Sequence, residues 1–215
     1  MTLKEKSYKI LLFSDQYIRI VINTLEMAIK HENPSVIVSD IYITEQAFDD
    51  KTKYCDYRII YPLLFLFYHW MELVLKGFLI VLAKENPETK IIDIEKIAHH
   101  NVIKLLKQFK ENYSNEKDII NFFEKYTEKN KMPSFLKVFF NENKLSVINY
   151  HNFFRYPLDK NFDITCDYSS IKHTNKKGLI FFEDLLKDIN KCLAPIVELG
   201  NRINDQLIKR EEQCK

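Results

Sequence analysis

The stretch RIIYPLLFLFYHWMELVLKGFLIVLAK, residues 58–84, decides the fold. It is apolar almost throughout and long enough to suggest a membrane span. His69, Glu72 and Lys76 stand near its middle, however, and ionisable groups at that depth of a bilayer are costly unless paired. No second stretch of this kind is evident. The reading that follows is a buried central helix of a soluble bundle, with no membrane. Offsets of three, four and seven put the three polar residues on one face of that helix.

Helical periodicity continues on the N-terminal side. Ile10, Leu11, Ile18, Val21, Ile22, Leu25 and Ala28 recur at helical spacing, which predicts a helix from about residue 8 to 31, ended by Asn33-Pro34. Residues 35–56 are mixed: VIVSDIYI suits a short strand or an irregular connection, and Asp49-Asp50 marks a turn. On the C-terminal side a polar connection follows Asn86-Pro87. His99-His100-Asn101 opens an amphipathic helix with the stripe Val102, Ile103, Leu105, Leu106 and Phe109. Asp118 is placed to cap the next helix, IINFFEKYTEK. Pro133 breaks the pattern, and a short helix is expected from about residue 144 to 154, stopped by Pro157. FDITCDYSSIKH and LIFF, within 160–183, resemble a β-hairpin around residues 175–178. A final helix is expected over about 183–209 with a kink at Pro195, its last residues fraying into solvent. The expected fold class is therefore all-α, a multi-helix bundle with a short β-hairpin before the last helix, in one domain over residues 1–215.

Composition agrees with a packed core. Hydrophobic residues make up 46% of the 215 and aromatic residues 13%. Basic and acidic residues nearly balance, 32 against 30, for a net charge of +2, so overall charge neither points to nucleic acid nor excludes it. Cys55, Cys166, Cys192 and Cys214 lie far apart with no CxxC pair, and no secretory signal is read at the start; a reduced, cytoplasmic chain is expected. Only three glycines occur, too few for a dinucleotide fingerprint or a phosphate loop. Histidines and cysteines show neither finger spacing nor HExxH, so no metal and no cofactor is expected.

Two groups could carry chemistry. Around His69, Glu72 and Lys76 the chain is almost wholly apolar, so their shared face is expected to be largely buried. A buried charge must be paired, and marks either a structural network or a site. If that face were exposed, the Glu72–Lys76 pair would add only about 0.3–0.5 kcal/mol. The second group is YHNFFRYP, where His151 and Arg155 are four apart. In a helix they stand side by side, an imidazole that can move a proton near neutral pH beside a guanidinium fork for a phosphate. The bland alternative pairs Arg155 with a carboxylate such as Glu72 and leaves His151 exposed. His100 stands at a helix start, where His99 or Asn101 could cap. His31 and His173, in polar segments, are expected to face solvent.

Three pieces in order, FYHWMELVLKGFLI, HNVIKLLKQF and FFRYPLD, together resemble the HEPN superfamily of small helical domains: an H-x-x-E-x-x-x-K face, an H-[DN]-hydrophobic-x-x-L-L helix start, and an Arg-Tyr-Pro segment. They span about residues 58–160. The resemblance implies a bundle of four or more helices, a homodimer with the polar face at its cleft, and ribonuclease members in toxin–antitoxin or antiphage systems beside members that bind nucleotides or partner proteins. Carried onto this sequence, it implies a catalytic set of His69, His100, His151 and Arg155. Glu72, Lys76 and Tyr156 would then bind substrate, RNA or a nucleotide, with an antitoxin or defence-system protein as partner. Ribonuclease members carry R-x4–6-H; here the histidine after Arg155 is His173, and His151 precedes the arginine, so the order is reversed. The competing expectation is a non-catalytic interaction module using the same residues as a packing network.

Overall fold

The computed structural model describes residues 3–32, 43–85, 97–155 and 177–213. Within them every regular element is helical: α1 (Leu3–Lys30), α2 (Glu45–Thr52), α3 (Asp56–Glu85), α4 (Val102–Asn112), α5 (Lys117–Thr127), α6 (Ser134–Glu142), a 3-10 turn (Val147–Asn149), α7 (Tyr150–Phe153) and α8 (Lys177–Gln213). A multi-helix bundle is thus the architecture.

The apolar stretch forms α3, and the other helices gather round it. Ile60, Leu64, Phe67, Met71, Val74 and Phe78 are all buried, and each such side chain stabilises the fold by about 1.5–3 kcal/mol. One segment among the described residues, 58–82, is long and apolar enough to cross a membrane, and 67% of its most apolar window is buried within the fold. It behaves as a core helix.

Helix α1 lies along α3, burying Ile18, Val21, Leu25 and Ala28, whose spacing of three and four residues makes one stripe. The two backbones approach closely near Gly77. Ser7 Oγ donates to the Gly77 carbonyl at 2.7 Å, and a Cβ on residue 77 would lie 2.6 Å from Leu11 Cδ2. Helix α4 packs on α3, and α8 runs against both α1 and α5. Two tyrosines tie these layers: the Tyr68 hydroxyl donates to the Tyr126 carbonyl at 3.0 Å, and the Tyr126 hydroxyl to Asp188 at 2.6 Å.

Several expectations are corrected. Asp49 and Asp50 lie inside α2, whose start is capped by Thr44 accepting from Ala47 N, rather than at a turn. Glu116, not Asp118, stands at the N-cap of α5; Asp118 is in its first turn, where a carboxylate still favours the helix dipole. Pro133 precedes an unforeseen helix, α6, rather than merely ending a pattern, because a proline at a helix start lacks no bond the helix would use. The chain then reverses through Lys144, at φ 51°, so the expected helix over 144–154 is only the 3-10 turn and the single turn of α7.

LIFF is not a strand. Residues 179–182 belong to α8, which begins at Lys177 and runs through Pro195. Phe181, Leu185 and Ile189, then Phe182 and Leu185, repeat at helical spacing and are buried, so the apolar stripe of the last helix starts earlier than its polar punctuation suggests. The other half of the expected hairpin, the VIVSDIYI strand apart from its last residue, Tyr156 and His173 lie outside the described residues.

Candidate functional site

A buried carboxylate needs donors. Glu72, in the middle of α3, is 1% exposed, and three elements supply what it requires. Lys76, one turn further along α3, donates to Oε1 at 2.7 Å. The hydroxyl of Tyr150, the first residue of α7, donates to Oε2. His100, just before α4, places Nδ1 3.0 Å from Oε1 and 3.2 Å from Oε2.

Local sequence explains how each partner arrives. Asn101 caps α4, its side-chain oxygen accepting from Lys104 N at 3.0 Å, while its own N–H donates to His99 Nδ1 at 3.1 Å. Of the two candidates Asn101 is the cap, and His99 holds the backbone of that cap residue, whose conformation is extended. Tyr150 is delivered by the 3-10 turn, opened by Ser146 accepting from Ile148 N. Its ring is fully buried beside Tyr68, with centroids 5.7 Å apart.

The other two histidines flank this core. His69 Nδ1 lies 3.4 Å from the Tyr150 hydroxyl, a long contact, and its ring stacks on Phe65 and meets Tyr17 edge-on at 4.8 Å. His151 forms a tilted stack with His100, centroids 4.8 Å apart and planes at 32°. Its Nδ1 is shielded from solvent and has no hydrogen-bond partner. The alternative of an exposed His151 thus does not hold.

Electrostatics follow from these neighbours. Burial pushes the Glu72 carboxyl up, but the Lys76 and Tyr150 hydrogen bonds and the Lys76 and His100 charges outweigh it, and the group sits below the usual carboxylate range. Burial, with the nearby cations, lowers both His69 and His151, against a smaller opposing pull from Glu72. His99 is lowered by the same causes. Burial and the Glu72 charge hold the Tyr150 hydroxyl far above its ordinary value, so it acts only as a neutral donor.

Of the expected residues, His69, Glu72, Lys76, His100 and His151 converge on one place. Arg155 is exposed, two residues past the end of α7. The sequence reading missed Tyr150. A signal did exist: a carboxylate buried in α3 demands a donor, and Tyr150 is the immediate neighbour of a candidate histidine. Among the described residues no group of three or more histidine, cysteine or carboxylate side chains is arranged to hold a metal ion. The chain matches no family model, no curated protein and no solved structure.

The arrangement can move protons. A carboxylate only accepts hydrogen bonds, so His100 must present N–H at Nδ1 and leaves Nε2 on the side of the ring away from Glu72. His100 is half-exposed, with 53% of its side chain accessible, so that nitrogen is available to another molecule. A second imidazole lies alongside.

Proposed function

We propose that this cluster is an acid–base site acting on RNA, in a HEPN-like effector of the toxin–antitoxin or antiphage type. The observation that carries the reading is the solvent-facing His100, held by a buried carboxylate, with His151 stacked beside it. A lone histidine–carboxylate pair is common; two adjacent imidazoles, only one of them anchored, form an acid and a base together.

The chemistry balances without another reactant. His151, kept neutral by burial and by its neighbour, takes the proton of a ribose 2′-hydroxyl. The 2′-oxygen forms a bond to the adjacent phosphorus while the bond to the 5′-oxygen breaks, and His100, carrying a proton on each ring nitrogen, gives its Nε2 proton to that leaving oxygen. The products are a 2′,3′-cyclic phosphate and a free 5′-hydroxyl. Arg155, two residues past the end of α7, and Tyr156, next in sequence, supply phosphate contacts in this reading, while His69, enclosed by aromatic rings, supports Tyr150.

A second reading is favoured by the saturation of Glu72: a non-catalytic interaction module, in which the network serves only to lock α7 and α4 to α3. His100→Ala separates the two, because an exposed side chain contributes little to stability. On inducing wild-type protein in a bacterial host, growth arrest with RNA fragments ending in cyclic phosphate is expected, and His100→Ala abolishes both while melting at nearly the same temperature. Intact RNA and normal growth with abundant folded wild-type protein would leave the module reading in place.

A further inference from the structure

We infer that Tyr150 is a positioning residue of this site: through Glu72 it holds the proton of His100 on Nδ1, so that proton exchange with a bound molecule passes only through Nε2. The inference rests on the acid–base reading and says how that site is held in order.

The hydrogen-bond directions are forced. Glu72, as a carboxylate, accepts from Tyr150, Lys76 and His100 and donates to none. The Tyr150 hydrogen is committed to Oε2, so towards His69 the hydroxyl oxygen can only accept, from Nδ1–H. One chain of donors therefore runs from His69 through Tyr150 to Glu72, and a second runs from His100 to the same carboxylate. Every proton in the chain points at Glu72. His100 then presents no bare Nδ1 to solvent, and Nε2 is the nitrogen through which it exchanges a proton.

Tyr150 suits this task because it cannot titrate with the site. Its ring is fully buried between Tyr68 and Phe65, and it comes from a different element than either Glu72 or His100. The charged and titratable groups that face the carboxylate are His69 and Lys76 from α3, His99 and His100 from the segment before α4, and His151 from α7, while Lys104, in the first turn of α4, acts on His99. Lys76, together with the Tyr150 hydroxyl, decides how much negative charge remains for His100. Removing the hydroxyl leaves a more basic carboxylate, a better partner for an imidazolium; a stronger phenolic donor does the reverse.

The test reads nitrogen resonances of the histidine rings in the whole protein without RNA, across a pH titration. Wild type is expected to show His100 with its proton on Nδ1. Tyr150→Phe is expected to raise the His100 midpoint by roughly half to one pH unit, as loss of one hydrogen bond to a charged partner implies. Replacing Tyr150 by 3-fluorotyrosine, which keeps the ring and strengthens the donor, is expected to lower it, and serves equally if the phenylalanine variant does not fold. A wild-type proton on Nε2, or a midpoint unmoved by the fluorinated residue, overturns the inference. Cleavage of RNA is scored separately: absent cleavage with the expected shifts removes the proposed substrate and leaves the positioning role intact.

Discussion

Two glutamates among the described residues are buried, and they are satisfied in opposite ways. Glu72 on α3 is 1% exposed and Glu124 on α5 is 5% exposed. Glu124 receives only ammonium groups, Lys110 from α4 and Lys131 from the turn after α5, and Lys131 also reaches Glu128 at 3.1 Å. Both lysine side chains are roughly half in water, at 43% and 50%. Glu72 instead receives a buried phenol, a lysine that is 15% exposed and an imidazole. The first arrangement is a clamp between two helices, whose cations can retreat to solvent. In the second, the partners are fixed by three separate elements, and one of them is an imidazole with half its side chain in solvent. The same burial of a carboxylate thus serves packing in one place and, in the acid–base reading proposed above, proton chemistry in the other.

The largest expected difference is in stability. Glu72→Ala strands the Tyr150 hydroxyl and leaves the largely buried Lys76 without its anion, so urea unfolding should show a loss of about 3–5 kcal/mol. Glu124→Ala frees two lysines into water and should cost roughly 1–2 kcal/mol. Equal losses would erase the distinction between clamp and site.

A smaller effect appears with pH. Glu72 and Glu124 both sit below the ordinary carboxylate value of 4.5, so each contributes stability that is present above that value and is lost as pH falls through the folded-state value. The Glu72 region adds histidines lowered from 6.5, namely His69, His99 and His151. As pH falls through that value, the unfolded chain binds protons that the folded chain refuses, and stability declines already there. Melting temperature is expected to drop on acidification from neutrality before the carboxylates titrate. His151→Gln should flatten this first decline, whereas substitutions around Glu124 should leave it unchanged.

Smallest of all is Lys131→Met, which removes an exposed partner whose carboxylate still holds Lys110. The unfolding midpoint should stay almost where it was, and so should any RNA cleavage. A large loss of activity here would mean that the chemistry is not confined to the Glu72 region.

Legibility followed periodicity. The long helices were readable because apolar residues three and four apart mark a face, as with Ile18, Val21 and Leu25 in α1. The short elements were not. Pro133 reads equally well as a breaker and as a helix start, and α6 was hidden behind it. LIFF is a short apolar run after Gly178, which periodicity alone cannot divide between strand and helix. In the site, His69, Glu72 and Lys76 were legible together because one helix carries them. His100 and His151 could be named as candidates, yet nothing in their spacing says that their rings stack. Tyr150 looked like one more aromatic residue in an aromatic-rich stretch.

By itself the sequence determined a bundle of helices around residues 58–84 and a carboxylate in the middle of that core, since an apolar face and a charge set within it are properties of a single helix. Which groups answer that charge was decided by tertiary structure alone. Tyr150 and His100 stand 78 and 28 residues from Glu72 along the chain, and such separations are closed only by the packing of α4 and α7 on α3. Side-chain periodicity describes one element at a time; a hydrogen bond between elements depends on how each is turned, and that is fixed by the core they share.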